Sequence, residues 1–161
     1  MGTAKGGDHG KAKGVDQGKL KNIERLNIFL RGEIGAVDTY KLALDALERT
    51  SKARSNLESC LQSHQQRVSI LRAAIEQLGG QPALGSGTWE ALARIVEDGT
   101  TAAGDKAAVA ALEEGEDHGL SDYRRDIASL DASARQLIEM QILPKQIQTH
   151  HTMSELKKQL H

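Results

Sequence analysis

Apolar residues return at steps of three and four along four stretches of the chain. From Leu20 to about Arg49 they are Ile23, Leu26, Leu30, Val37, Leu44 and Leu47, the spacing of a helix that turns one face to a core. The second stretch runs Leu57, Leu61, His64, Val68, Leu71, Ile75 and Leu78, and the third Val109, Leu112, Glu116, Tyr123, Ile127 and Leu130. The fourth runs Leu137, Met140, Leu143, Ile147, His150, Met153, Leu156 and Leu160. Helices are therefore predicted over about 19–49, 55–78, 105–130 and 133–160. Ser55-x-x-Glu58 and Ser133-x-x-Gln136 have the form of capping boxes. Gly79-Gly80 followed by Pro82 closes the second helix, because glycine takes the left-handed conformation of a C-terminus. Pro144 removes a backbone hydrogen bond, which predicts a kink or a break between Met140 and Pro144.

The connector 79–104 is the informative gap. Neighbouring antiparallel helices need about 2 to 8 linking residues, whereas this one is glycine-rich and carries its own short apolar segment, Trp89, Leu92, Ile95 and Val96. It can run the length of a helix and reverse the direction of entry. The expected fold is all-α, a ferritin-like antiparallel four-helix bundle of two hairpins joined by a long crossover that contains a short helix. Residues 1–18 hold six glycines and almost nothing apolar, so they read as a flexible tail ahead of a bundle over 19–161.

Composition narrows the function classes. The chain has 161 residues, a formal net charge of -1 and only 2% aromatic residues. A near-neutral balance argues against nucleic acid as a partner, since phosphate contacts need an excess of clustered Lys and Arg. No apolar run approaches the roughly 20 residues of a membrane span, and the single cysteine, Cys60, rules out an internal disulfide framework. A cytoplasmic protein without membrane contacts is expected.

Candidate chemistry lies where the apolar stripes are interrupted. Gly32-Glu33-x6-Tyr40 returns eighty-three positions later as Gly115-Glu116-x6-Tyr123, and both Glu-Tyr pairs fall on inward positions. His64 and His150 occupy polar slots on the second and fourth stripes. Buried carboxylates and imidazoles are costly unless paired or metal-bound, so Glu33, His64, Glu116 and His150 are candidate ligands for iron, manganese or zinc, with Tyr40 and Tyr123 as supporting donors. A metal-free Glu-His-Tyr hydrogen-bond network is the alternative. A first turn near residue 52 offsets Glu33 from His64 by about two helical turns, and a second near 132 offsets Glu116 from His150 by less than one. The second pair is thus the better supported, although a loop nearer Arg49 would level the first. Glu113 is a weaker candidate one turn before Glu116. His9, His118, His151 and His161 read as solvated or marginal, Cys60 as a core-edge residue, and Trp89 as a lid on one end of the bundle.

Together, the doubled Glu-x6-Tyr, the helix-borne histidines, the Gly-Gly-x-Pro stop and the Trp-containing crossover resemble an uncharacterised bacterial family of ferritin-like four-helix bundles, over roughly residues 20–158. The resemblance implies the bundle fold and no assigned activity. In the wider ferritin-like di-iron group, two helices each supply a glutamate and two supply Glu-x-x-His. Glu33 and Glu116 match the single glutamates and His64 and His150 the histidines, while Leu61 and Ile147 stand where the remaining carboxylates belong. Two functions are compatible with these residues: a metal-binding ferritin-like protein, with iron or oxidative-stress handling carried over from the fold alone, or a metal-free structural or interaction bundle that forms a homo-oligomer. An enzyme stays open, with no substrate that the residues name.

Overall fold

The structure, a computed structural model, describes residues 9–86, 94 and 104–160, with side chains from Gln17 onward. Helix α1 spans His9–Ala46, α2 Arg54–Gln77 and α3 Gly104–Asp126, which runs into a 3-10 turn at Ile127–Ser129. The fourth bundle helix is built in three parts: α4 (Ala132–Leu137), a π-helical turn (Ile138–Ile142) and α5 (Leu143–Gln159). No strand occurs among the described residues. The all-α four-helix expectation holds.

Two apolar clusters fix the packing. Leu26, Leu30, Leu71, Ile75, Tyr123, Leu130, Ile138 and Ile142 fill one end. Tyr40, Leu47, Leu57, Val109, Leu112, Met153 and Leu156 fill the other. The start of α1 therefore lies beside the end of α2 and the end of α3. Two polar bonds mark the ends: Ser51 Oγ donates to Asp105 Oδ2 at 2.5 Å, and Asn22 Nδ2 to Asp131 Oδ2 at 2.5 Å. α2 ends beside Asn22 and α3 begins beside Ser51, at opposite ends of the bundle, which is the arrangement a long crossover requires. Its Trp89, Leu92, Ile95 and Val96 lie outside the described residues; Arg94, the one described position between 87 and 103, is helical.

Several boundaries differ from the sequence reading. The tail expected over 1–18 gives way to helix from His9, and residues 1–8 lie outside the described residues. Lys11, Ala12, Lys13 and Gln17 are good helix formers, and lengthening a helix already nucleated costs little. Gln17 to Lys21 are all exposed. Neither predicted capping box forms. Ala53 precedes α2 with no side-chain cap, and at α4 the cap is Asp131, whose carboxylate accepts from the Ala134 amide at 2.9 Å. The predicted stop at Gly79 is as expected, with φ of 80°.

The break foreseen before Pro144 takes the form of the π-helical turn, which holds an extra residue and rotates the helix beyond it. Ile138, Ile142, Gln146, Thr149, Met153 and Leu156 form the buried line, while Met140 and Ile147 are exposed. This one-residue shift decides the site.

Candidate functional site

Each bundle helix sends polar side chains into the middle of the core, between the two apolar clusters. Glu33 and Tyr40 come from α1, His64 and Arg67 from α2, Glu116 and Tyr123 from α3, and Gln146 and Thr149 from α5. All eight are buried, Arg67 completely. Positions 64/67 and 146/149 are i, i+3 pairs on helices that face the two glutamates.

His64 is the hub. Its Nδ1 lies 2.6 Å from Glu33 Oε2 and its Nε2 2.6 Å from Glu116 Oε1. A neutral imidazole has one donor and one acceptor nitrogen, and a carboxylate can only accept, so both ring nitrogens carry protons and His64 is an imidazolium. Arg67 supplies the second cation. Its Nη1 donates to Glu33 Oε1 at 3.2 Å and also to Gln146 Oε1, and its Nη2 to Thr149 Oγ1 at 3.0 Å. The remaining carboxylate positions are taken crosswise. Tyr40 donates to Glu116 Oε1 at 2.7 Å, and Tyr123 to Glu33 Oε1 at 2.6 Å. Thr149 and Gln146 donate to Glu116 Oε2 at 2.7 and 3.0 Å. Two carboxylates, one imidazolium and one guanidinium sum to zero charge.

Burial alone would push the Glu33 and Glu116 carboxyls toward neutrality. The opposing effect wins: Arg67 and His64 hold Glu33 below its ordinary value, and His64 and Arg67 do the same for Glu116. For His64, burial works against the charged form, but Glu116 and Glu33 outweigh it and raise its pKa. Burial and the glutamate each one faces keep the Tyr40 and Tyr123 phenols protonated. Cys60, near Glu116, is pushed up to about 12 by burial and by that carboxylate, so it is no nucleophile.

Glycines make the assembly fit. A Cβ on Gly119 would stand 2.9 Å from Gln146 Nε2, so the bare backbone of α3 leaves room for the amide. A cavity of about 140 Å³ between α1 and α3, lined by Gly32, Ala36, Gly115 and Gly119, reaches Glu33, His64 and Glu116.

Of the predicted ligands, Glu33, His64 and Glu116 come together, and Tyr40 and Tyr123 donate to the two glutamates. His150 does not join. It lies partly buried at the edge of the bundle with Nε2 3.5 Å from Asp117 Oδ1, because the π-helical turn puts Gln146 and Thr149 on the inward line. The better-supported pair is thus separated, while the Glu33–His64 pair, set by a loop between Ala46 and Arg54, is in contact. Glu113 lies outside, paired with Lys157 Nζ at 3.2 Å. Leu61 and Ile147 are not the positions that replace the missing carboxylates; the inward pairs are His64-x-x-Arg67 and Gln146-x-x-Thr149. The sequence reading passes over Arg67, Gln146 and Thr149. Their only signal is that 60/64/67/71/75 and 142/146/149/153/156 keep helical steps as well as the more apolar lines do.

Comparison with known proteins adds a family. The family model described as Ubiquinone biosynthesis protein COQ7 matches residues 22–159, from Asn22 on α1 to Gln159 at the end of α5. No curated protein and no solved structure matches the chain. The family is of the ferritin-like di-iron carboxylate type, whose centre uses two glutamates and two Glu-x-x-His pairs. Here the two glutamates are kept, but the pairs read His-x-x-Arg and Gln-x-x-Thr. Arg67 has no lone pair to give and stays charged, and both His64 nitrogens are engaged as donors. Among the described residues no three His, Cys, Asp or Glu side chains are arranged to hold a metal ion. The residues present do not fit a di-iron centre. The match covers far more than half of the chain, and the chain belongs to the ubiquinone biosynthesis protein COQ7 family.

Proposed function

We propose that this member of the family works without a metal, as a structural or protein-binding bundle whose polar core fixes helix register, and does not itself activate oxygen. The observation that carries the reading is the bridging of Glu33 and Glu116 by the two ring nitrogens of His64, beside the Arg67 guanidinium on Glu33. Any iron, manganese or zinc ion would have to displace both a proton and a buried side-chain cation. The family name supplies ubiquinone biosynthesis as the context. Within it, this reading gives the chain a non-oxidative part, with a partner protein or a second copy of itself docking on the outer helix faces. Ile28 and Leu42 on α1 and Ile147 on α5 are apolar side chains exposed there. Among the described residues no helix is long and apolar enough to cross a membrane.

The test is elemental analysis of tag-free protein produced with iron, manganese and zinc supplied. The expected result is metal far below one ion per chain and no oxygen consumption with added reductant. Near-stoichiometric metal that disappears in Glu33→Gln and Glu116→Gln variants would restore the metal-binding function.

A further inference from the structure

We infer that the outer face shared by α2 and the fourth bundle helix is the surface on which a second copy of this chain docks, across a two-fold axis. The inference rests on the protein-binding part of the reading above and narrows it to one face and one partner. Between Glu58 and Arg72, α2 carries no Asp, Glu or Lys, and its one Arg and one His there, Arg67 and His64, are buried. Over that stretch it exposes Ser59, Gln62, Gln65, Gln66 and Ser69. From Met140 to Ser154 the fourth helix exposes Met140, Gln141, Pro144, Ile147, Gln148 and His151. Its only Lys, Arg, Asp or Glu in that range is Lys145, whose Nζ donates to Gln66 Oε1 at 3.1 Å. That bond sets the exposed lines of the two helices side by side. Met140, 68% exposed, borders a groove with Ala74 and Leu78 of α2. The other described faces differ: α1 exposes Glu24, Arg31, Asp38, Lys41 and Asp45, and α3 exposes Lys106, Asp117, Asp122, Arg124 and Arg125.

The absence of charge decides the partner. Interface centres are depleted of charged residues and enriched in Met, because an ion buried without its counter-ion is costly. A partner with a charged surface would find no counter-ions on this face, whereas a second copy brings no ions that need them. Glutamine amides and serine hydroxyls both donate and accept, so each is matched by an identical surface, as a two-fold interface requires. Met140 and Ile147 supply the apolar contacts. With a formal net charge of -1 per chain, two copies approach without appreciable long-range repulsion.

The experiment is sedimentation velocity of the tag-free full chain over a concentration series. Met140→Asp and Gln62→Lys probe the face, while Lys41→Glu on α1 and Arg124→Glu on α3 are the comparisons. The parent is expected to sediment as a dimer at micromolar concentration, and Met140→Asp and Gln62→Lys each to raise the dimer dissociation constant about 30-fold or more, the scale of an interface hot spot. Lys41→Glu and Arg124→Glu are expected to pair as the parent does. Circular dichroism checks that each variant is folded; if Met140→Asp is not, Gln62→Lys carries the test alone. A parent that stays monomeric at roughly 100 µM, above the micromolar end of standard interfaces, overturns the pairing and leaves the metal-free core untouched. A dimer weakened by the comparison variants and not by Met140→Asp and Gln62→Lys overturns this face. Stoichiometric iron, manganese or zinc in the dimer fraction overturns the metal-free reading and leaves the dimer face standing.

Discussion

Glu116→Ala is expected to lower the unfolding free energy by about 3–5 kcal/mol, the range for breaking a buried ionic network by removing one partner. Glu116 is 1% exposed and accepts from His64, Tyr40, Thr149 and Gln146. Truncation leaves an imidazolium with one carboxylate in place of two, and a phenol with nothing to donate to. The expected cost comes from these stranded groups rather than from lost attraction. The converse substitution separates the two. Replacing Glu33, His64, Arg67 and Glu116 by Leu, Leu, Met and Leu together with their buried donors, Tyr40 and Tyr123 by Phe, Gln146 by Leu and Thr149 by Val, is expected to be near neutral or stabilising, because the desolvation of four charges is then also removed and no donor is stranded. Urea unfolding of both variants against the parent measures the difference. A loss under about 1 kcal/mol for Glu116→Ala, the scale of a solvent-exposed pair, would contradict the network as described.

Stability is expected to depend on pH on both sides of a plateau. The Glu33 and Glu116 pKa values are lower in the folded than in the unfolded chain. Their contribution is complete above the ordinary glutamate value of 4.5 and is lost as pH falls through the depressed folded values. His64 is raised in the folded chain. Its contribution is complete below the ordinary value of 6.5 and is lost as pH rises through the raised folded value. The network thus stabilises most between about 4.5 and 6.5. In His64→Gln the alkaline decline assigned to the network disappears while an acid decline remains. The difference in urea midpoint between parent and variant, followed from about pH 5 to about pH 9, isolates this effect from other titrating groups. Equal alkaline slopes in the two proteins would contradict a charged His64.

Much of this architecture is legible in the chain. The three-four spacing specifies the four helices, and the 79–104 gap is long enough to join α2 and α3, which stop and start at opposite ends of the bundle. The doubled Glu-x6-Tyr is the strongest site signal, and its physical basis is the crosswise pairing of each tyrosine with the other helix's glutamate. The fourth helix misleads because a π-helical turn leaves no period of its own in the sequence. The more apolar line through Leu143, Ile147 and His150 then outweighs the line through Gln146 and Thr149 that is buried. Arg67 escapes notice for a similar reason. Val68, beside it, continues the apolar stripe, and an arginine on a helix is ordinarily solvated unless carboxylates elsewhere in the fold neutralise it. Side chains that meet across three helices are not visible in any one of them.

The network turns on a His64 that carries two protons and bridges Glu33 to Glu116. Its most direct test is a nitrogen–proton correlation spectrum of histidine side chains in 15N-labelled protein, with His64→Gln providing the assignment. Two exchange-protected N–H groups are expected from His64, on Nδ1 and Nε2, both persisting above the ordinary histidine value of 6.5. A single protonated nitrogen, or a ring signal shifted by added zinc, would contradict it.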